Sequence, residues 1–296
     1  MTDRSLDAEL RAALDWLEAH SSEKTRDGMA RYGIVAQHAL GVTVGDIRSL
    51  GKRIGENHAL ARELWRTGIY EARLLAAFVA DPDALGSSEM DRWCRDFDNW
   101  AVCDTLCFHL FDRTPHAFGR IRAWATRREE FVKRAAFALL ASVALHDRRT
   151  SDEPFAACLP LIEAAADDER NFVKKGVSWA LRGVGARSRA LHAACVELAE
   201  RLAAAGPAER WVGKDALRDL TRAKVRAGLA VREARRATAN APKRGSAKST
   251  PARAPAAPKR AAGERVVSAR AAPARKVKKK AKKAGKAPAR RRSRAG

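Results

Sequence analysis

"FVKRAAFALL" (residues 131–140) and "FVKKGVSWAL" (residues 172–181) align without a gap at an offset of 41. Phe, Val, Lys and the final Leu are identical, and Arg134 aligns with Lys175. In both stretches apolar residues recur at three- and four-residue spacings, the period of an amphipathic helix. A weaker echo, "YEARLLAAFV", occupies residues 70–79.

The same period extends outward from these stretches. From about residue 5 to 235 apolar residues keep helical spacing, and β-branched alternating runs are missing, so an all-α chain is expected. Breaks fall at "DPDALGSSEM" (81–90), "DRTPHAF" (112–118), "HDRRTSDEP" (146–154) and "AAGPAER" (204–210), where Pro, Gly and capping residues cluster. "SSEM" and "TSDEP" are read as N-terminal caps. A period near 40 in an all-helical chain indicates HEAT-like helical pairs, which stack into a curved solenoid with a concave binding surface.

The 296-residue chain carries a formal charge of +23, spread very unevenly. Residues 241–296 hold 20 Lys+Arg and one acid, Glu264, or +19. The first 240 residues hold 58 − 20 = 38 basic and 35 − 1 = 34 acidic residues, or +4. Two domains follow: a helical-repeat domain over 1–235 and a Lys/Arg/Ala/Pro-rich tail over 236–296, composed like a linker-histone tail. With almost no apolar bulk, the tail cannot offset chain entropy by burial, and disorder is expected. Charge of that density predicts a polyanionic partner bound through phosphates with a steep salt dependence. The five cysteines form no CxxC, and their odd number suits small buried thiols in a reducing cytoplasm rather than a disulfide framework. The acidic, amphipathic N-terminus is unlike a signal peptide. The longest apolar run, "LLAAFVA" (74–80), is far too short to span a bilayer, so no membrane partner is expected.

"FDNWAVCDTLCFHLF" (97–111) reads as a buried helix, yet Trp100 and Asp104 stand four apart and share one face. The pair is either packing with polar trim or half of a reaction site. In the repeats, the cations Lys133, Arg134, Lys174 and Lys175 sit near helix starts, where the dipole disfavours them. Their presence in both repeats points to an anion outside the protein; the alternative is a solvated cationic face. No P-loop, GxGxxG, GxSxG or HExxH motif occurs, and the seven histidines have no metal-ligand spacing. His109, among Leu106, Leu110 and Phe111, is read as structural. An enzyme built from this chain works with carboxylates, aromatics and cations, without metal or organic cofactor.

The blocks "MARYGI" (29–34), "GVTVGDIRSLGKRIG" (41–55), "ELWRTGIYEARLLAAFVADP" (63–82), "DNWAVCDTLC" (98–107), "EEFVKRAAFALLA" (129–141) and "DDERNFVKKGVSWALRGVG" (167–185), in this order, resemble the DNA alkylation repair family. These are HEAT-like alkylpurine DNA glycosylases of the AlkD type, and the resemblance covers roughly residues 5–230. It implies a C-shaped solenoid holding duplex DNA in a basic concave cleft. The implied activity is removal of cationic alkylated purines such as 3-methyladenine and 7-methylguanine. The family's catalytic Trp-x-x-x-Asp falls on Trp100 and Asp104, its following Arg on Arg134, and its second Trp on Trp179. By that likeness Asp104 stabilises the oxocarbenium ion, Trp100 and Trp179 pack on the sugar and cationic base, and Arg134 grips a phosphate. Lys133, Lys174 and Lys175 are further candidate phosphate contacts. Family members often carry a second acid directly after the first Trp, where this chain has Ala101. The alternative is therefore a non-catalytic DNA-binding solenoid with a histone-like tail, in DNA architecture or damage sensing; a HEAT scaffold for a protein partner is a third possibility. A monomer in the bacterial cytoplasm or nucleoid is expected.

Overall fold

The computed structural model describes residues 3–240; the disorder expected of the tail falls, from residue 241 on, outside the described residues. Fifteen α-helices run in order: α1 (Asp3–Ala19), α2 (Glu23–Met29), α3 (Val44–Ile54), α4 (His58–Arg66), α5 (Tyr70–Val79), α6 (Ser87–Arg95), α7 (Trp100–His109), α8 (Ala117–Ala125), α9 (Glu130–His146), α10 (Glu153–Ala156), α11 (Leu159–Ala164), α12 (Asn171–Gly185), α13 (Arg189–Ala204), α14 (Pro207–Leu220) and α15 (Ala223–Asn240). Two 3₁₀ turns, Ala30–Tyr32 and Phe111–Arg113, complete the described residues, which contain no strand. Helix α15 continues past residue 235, where the composition changes.

The helices form two layers. α3, α5, α7, α9, α12 and α14 pack side by side in one row, while α4, α8 and α13 pack behind α5, α9 and α14. This is the paired-helix arrangement of HEAT-like repeats. The three related stretches occupy equivalent places in the row: residues 70–79 are α5, and the two FVK stretches open α9 and α12. Between α9 and α12 small residues bring the backbones together. A Cβ on Gly183 would lie 3.2 Å from the Cα of Ala141, so a larger residue there would push the helices apart. Their interface buries Phe137, Leu140, Val177 and Leu181 completely, each contributing about 1.5–3 kcal/mol of apolar burial.

The helical period overreaches in one place. Residues 33–43 form no helix. Gly33 and Gly41 take φ +68° and +86°, which L side chains rarely adopt. The segment is ordered instead by a distant carboxylate: fully buried Glu71, on α5, accepts from the N–H groups of Leu40 (2.9 Å), Gly41 (2.7 Å) and Val42 (3.3 Å). Arg73, two residues further along α5, donates to the Asp96 carbonyl at 3.1 Å and lies over the Trp65 ring. The two stretches read as caps do not cap through their side chains: Gly86 and Asp152 take those positions. Side-chain caps are made by Ser22, Thr43, Asn57, Asn99 and Ser188. All five cysteines are buried and free. Among the described residues no helix is long and apolar enough to cross a membrane.

Candidate nucleic-acid interface

Helix α7 begins at Trp100, with Asn99 as its N-cap. The Asn99 side chain accepts from the Val102 N–H at 3.0 Å, satisfying one of the unpaired donors of the first turn. Trp100 is the first residue of the helix, half-buried, and its Nε1 donates to the Tyr32 carbonyl at 2.9 Å. Asp104 follows one turn later and Phe108 one turn after that, on the same face.

Asp104 does not stand alone. Arg134, in the first turns of α9, donates from Nε to Oδ1 at 2.9 Å and from Nη2 to Oδ2 at 2.7 Å. Its Nη1 donates to the Phe172 carbonyl in α12 at 2.6 Å. The two side chains are 19% and 7% exposed. The phosphate contact expected of Arg134 is therefore not the arrangement found: the guanidinium is turned inward and joins α7, α9 and α12. Burial pushes the Asp104 carboxyl up, and the guanidinium opposes it without cancelling the rise. Burial lowers the Arg134 guanidinium and Asp104 raises it, the rise prevailing. Guanidinium does not deprotonate in proteins, and the two-pronged fork matches a carboxylate, so the pair is ionised.

The lysines divide. Lys133 pairs with Asp168 at 3.0 Å. Asp168 is also bonded by Arg170, whose hydrogen bonds hold its carboxyl at about 2 despite burial. The anion inferred from Lys133 is thus supplied by the protein's own loop before α12. Lys174 lies 5.4 Å from the centroid of the Trp211 ring on α14. Lys175 is exposed and makes no ion pair among the described residues. Trp179 is half-buried and approaches α7 at Phe108, with ring centroids 6.2 Å apart and planes at 22°.

Three residues here were not singled out from sequence. Tyr32 is 72% exposed beside the Trp100 indole. Gly33 packs on the Phe172 ring, where a Cβ would approach Cζ to 3.3 Å. Phe108, one turn beyond Asp104 on α7, faces the Trp179 ring. The block "MARYGI" contains the first two and "NFVKK" contains Phe172, but only the fold shows that the two blocks meet. Among the described residues no group of three or more His, Cys, Asp or Glu could hold a metal ion.

Paired helices in a continuous row, with aromatics, a buried carboxylate–guanidinium pair and outward lysines on that row, define a HEAT-like helical-repeat protein. The model of the family described as DNA alkylation repair enzyme matches residues 13–236, and the chain belongs to that family. DNA repair is the function that membership carries. A solved structure titled as a new family of proteins related to the HEAT-like repeat DNA glycosylases, with affinity for branched DNA structures, is similar in fold. Its TM-score is 0.59 at 23% identity, over 64% of this chain and 82% of that one. A designed armadillo repeat protein bound to a (KR)4 peptide is more distant, with TM-score 0.32 and 13% identity over 67% of this chain and 85% of that one. No curated protein matches the sequence.

Proposed function

We propose that this protein is a monofunctional DNA glycosylase that hydrolyses the N-glycosidic bond of cationic alkylated purines, 3-methyladenine and 7-methylguanine, in duplex DNA. The observation that carries the reading is the ionised Asp104 carboxylate, one turn from the Trp100 indole and one turn from Phe108, which meets Trp179. An alkylated purine already bears positive charge. When the C1′–N bond breaks, its electron pair neutralises the base, and positive charge develops on the sugar. A fixed carboxylate stabilises that charge and holds the water that attacks C1′. An ionised carboxylate has about four acceptor positions; Arg134 takes two, which leaves the others for the sugar and the water. Arg134 is then a positioning residue. Indole faces attract cations, which suits Trp100 and Trp179 to the charged base and sugar. Lys175 and Lys174 serve the phosphates, and the tail, at +19 over residues 241–296, adds non-specific DNA affinity.

One observation favours a second reading, a DNA-binding solenoid without catalysis. Both Asp104 oxygens are engaged by Arg134, so the pair is close to neutral, and Ala101 provides no second acid. The solved relative's stated affinity for branched DNA is in keeping with such a role. The deciding experiment measures free methylated purines released from methylated duplex DNA, by chromatography with mass detection. The intact chain should release them. Asp104→Asn should lower the rate by about 10²–10³ while duplex affinity changes little. No release from the intact chain, with DNA still bound, would establish the second reading.

A further inference from the structure

Two turns beyond Asp104, where α7 gives way to the turn Phe111–Arg113, a groove of about 590 Å³ opens between α3, α5, α7 and α9. Its charge is out of balance. Arg48, Lys52 and Arg113 line it, are exposed, and have no carboxylate partner among the described residues. Elsewhere Arg62, Arg120, Arg134 and Arg170 are all paired with acids. The two groove arginines are nevertheless positioned. Arg48 Nη2 bonds His109 Nε2 at 3.1 Å, and its guanidinium lies 5.5 Å from the Phe78 ring centroid. Arg113 donates to the His109 carbonyl. Each keeps most of its N–H groups uncommitted. His109, read from sequence as structural, is held below its usual range by burial and by Arg48, so it acts as an acceptor that aims Arg48.

The acid in the groove wall does not supply the missing counter-charge. The Asp112 side chain is fully buried. Its Oδ2 accepts from Ser142 Oγ at 2.6 Å and meets His146 Nδ1 at 2.5 Å, while Oδ1 is buried with no hydrogen-bond partner. Asp112 thus orients His146: Nδ1 is turned to the carboxylate, and Nε2 is left for the groove. Glu56 is the other carboxylate of the lining. Positioned guanidiniums, an ammonium and an oriented imidazole above the half-buried Phe108 ring are donors arranged for phosphate oxygens.

We propose that this groove is a second phosphate site, taking the backbone of the DNA segment whose damaged nucleotide lies at Asp104. The inference rests on the DNA-binding part of the reading above and not on its chemistry. From Asp104 to His109, the last residue of α7 and part of the groove lining, five residues of helix rise about 7.5 Å, or roughly 2 base pairs of duplex rise. Inorganic phosphate shares the recognised chemistry, so the test has two arms.

In the first arm, the affinity of the full chain for a fluorescent duplex is measured by anisotropy across a range of salt. The triple variant Arg48→Gln/Lys52→Gln/Arg113→Gln is compared with Arg11→Gln/Arg148→Gln/Arg149→Gln, which removes equal charge at exposed positions outside the groove. Each lost phosphate contact lowers the log affinity–log salt slope by about 0.9. The groove triple should lower it by roughly 2–3 and the control by less than about 1. Equal slopes for the two triples overturn the proposal. Should the groove triple fail to fold, Lys52→Gln and Arg113→Gln alone, each expected to change the slope by about 0.9, give the same decision. In the second arm, the imidazole resonances of His146 are followed by ¹H–¹⁵N correlation during titration with duplex and with inorganic phosphate. A shift with duplex that needs the three cations supports the proposal; saturation by inorganic phosphate, with the DNA slope unmoved by the triple, assigns the groove to the free ion and overturns it. Because both arms read binding, a protein that releases no base but shows the slope change loses only the glycosylase reading.

Discussion

Arg134 is the side chain on which three helices of one layer converge, and its removal separates the roles of charge and chemistry at Asp104. With the guanidinium present, burial raises the Asp104 carboxyl and Arg134 restrains it. In Arg134→Gln burial acts unopposed and the carboxyl rises further. A catalytic Asp104 must be ionised, so the acid limb of the kcat/KM profile for base release should move to higher pH. Stability should follow the same sign. A carboxyl whose folded pKa lies above its unfolded value of about 3.9 folds best when protonated, so the variant's stability should fall as pH rises through the range in which Asp104 ionises. At neutral pH the loss should be about 3–5 kcal/mol, the cost of leaving a buried charge unpaired. Urea denaturation at acid and neutral pH checks this, and Arg134→Lys should fall between the two. At this scale the sequence was informative about spacing and silent about partners. Trp100 and Asp104 were legible because four residues make one helical face. The destinations of Arg134 and Lys133 were not, since their acids lie 30 and 35 residues away and leave no trace in local periodicity.

Between elements, glycine marks the places where helices touch. In α14, a Cβ on Gly213 would lie 2.4 Å from the Ala203 N and 2.5 Å from the Ala199 O, both backbone atoms of α13. Neither can move without displacing its helix, so Gly213→Ala should cost about 1–3 kcal/mol. Gly119 in α8 has nothing within 4 Å of its would-be Cβ. There Gly119→Ala should stabilise by up to about 0.5–1 kcal/mol, because alanine loses less backbone entropy in a helix. Opposite shifts in the urea midpoint for two identical substitutions test whether close helix approach sets the sign. The fold was largely legible at this level. The 41-residue offset placed α9 and α12 in equivalent positions of one row, since a repeated apolar face must be buried against its neighbour. Residues 33–43 were not legible, because their order comes from the Glu71 carboxylate some 30 residues along the chain. A buried acid accepting backbone N–H groups looks, in sequence, like any other glutamate in a helix.

For the molecule as a whole, the division of charge predicts a division of labour. Residues 1–240 carry +4, and the structure consumes many of their cations internally, so the folded part offers DNA only local patches such as Lys175 and the Arg48–Lys52–Arg113 groove. Residues 241–296 carry +19 with a single acid, and charge of that density binds phosphates without reading sequence. A chain ending at Asn240 keeps all fifteen helices. It should bind duplex DNA about 10²–10³ more weakly at low salt, with a log affinity–log salt slope flatter by several, each released phosphate contact counting about 0.9. At saturating DNA the rate of base release should be unchanged, because none of Trp100, Asp104, Arg134 or Trp179 is removed. At sparse DNA it should drop with the affinity. Anisotropy across salt, with single-turnover release at high and low DNA, measures both. An unchanged slope would mean that the tail does not engage phosphates. A flatter slope with a lower saturating rate would mean that the tail helps to assemble the site itself, and the division of labour would then be wrong.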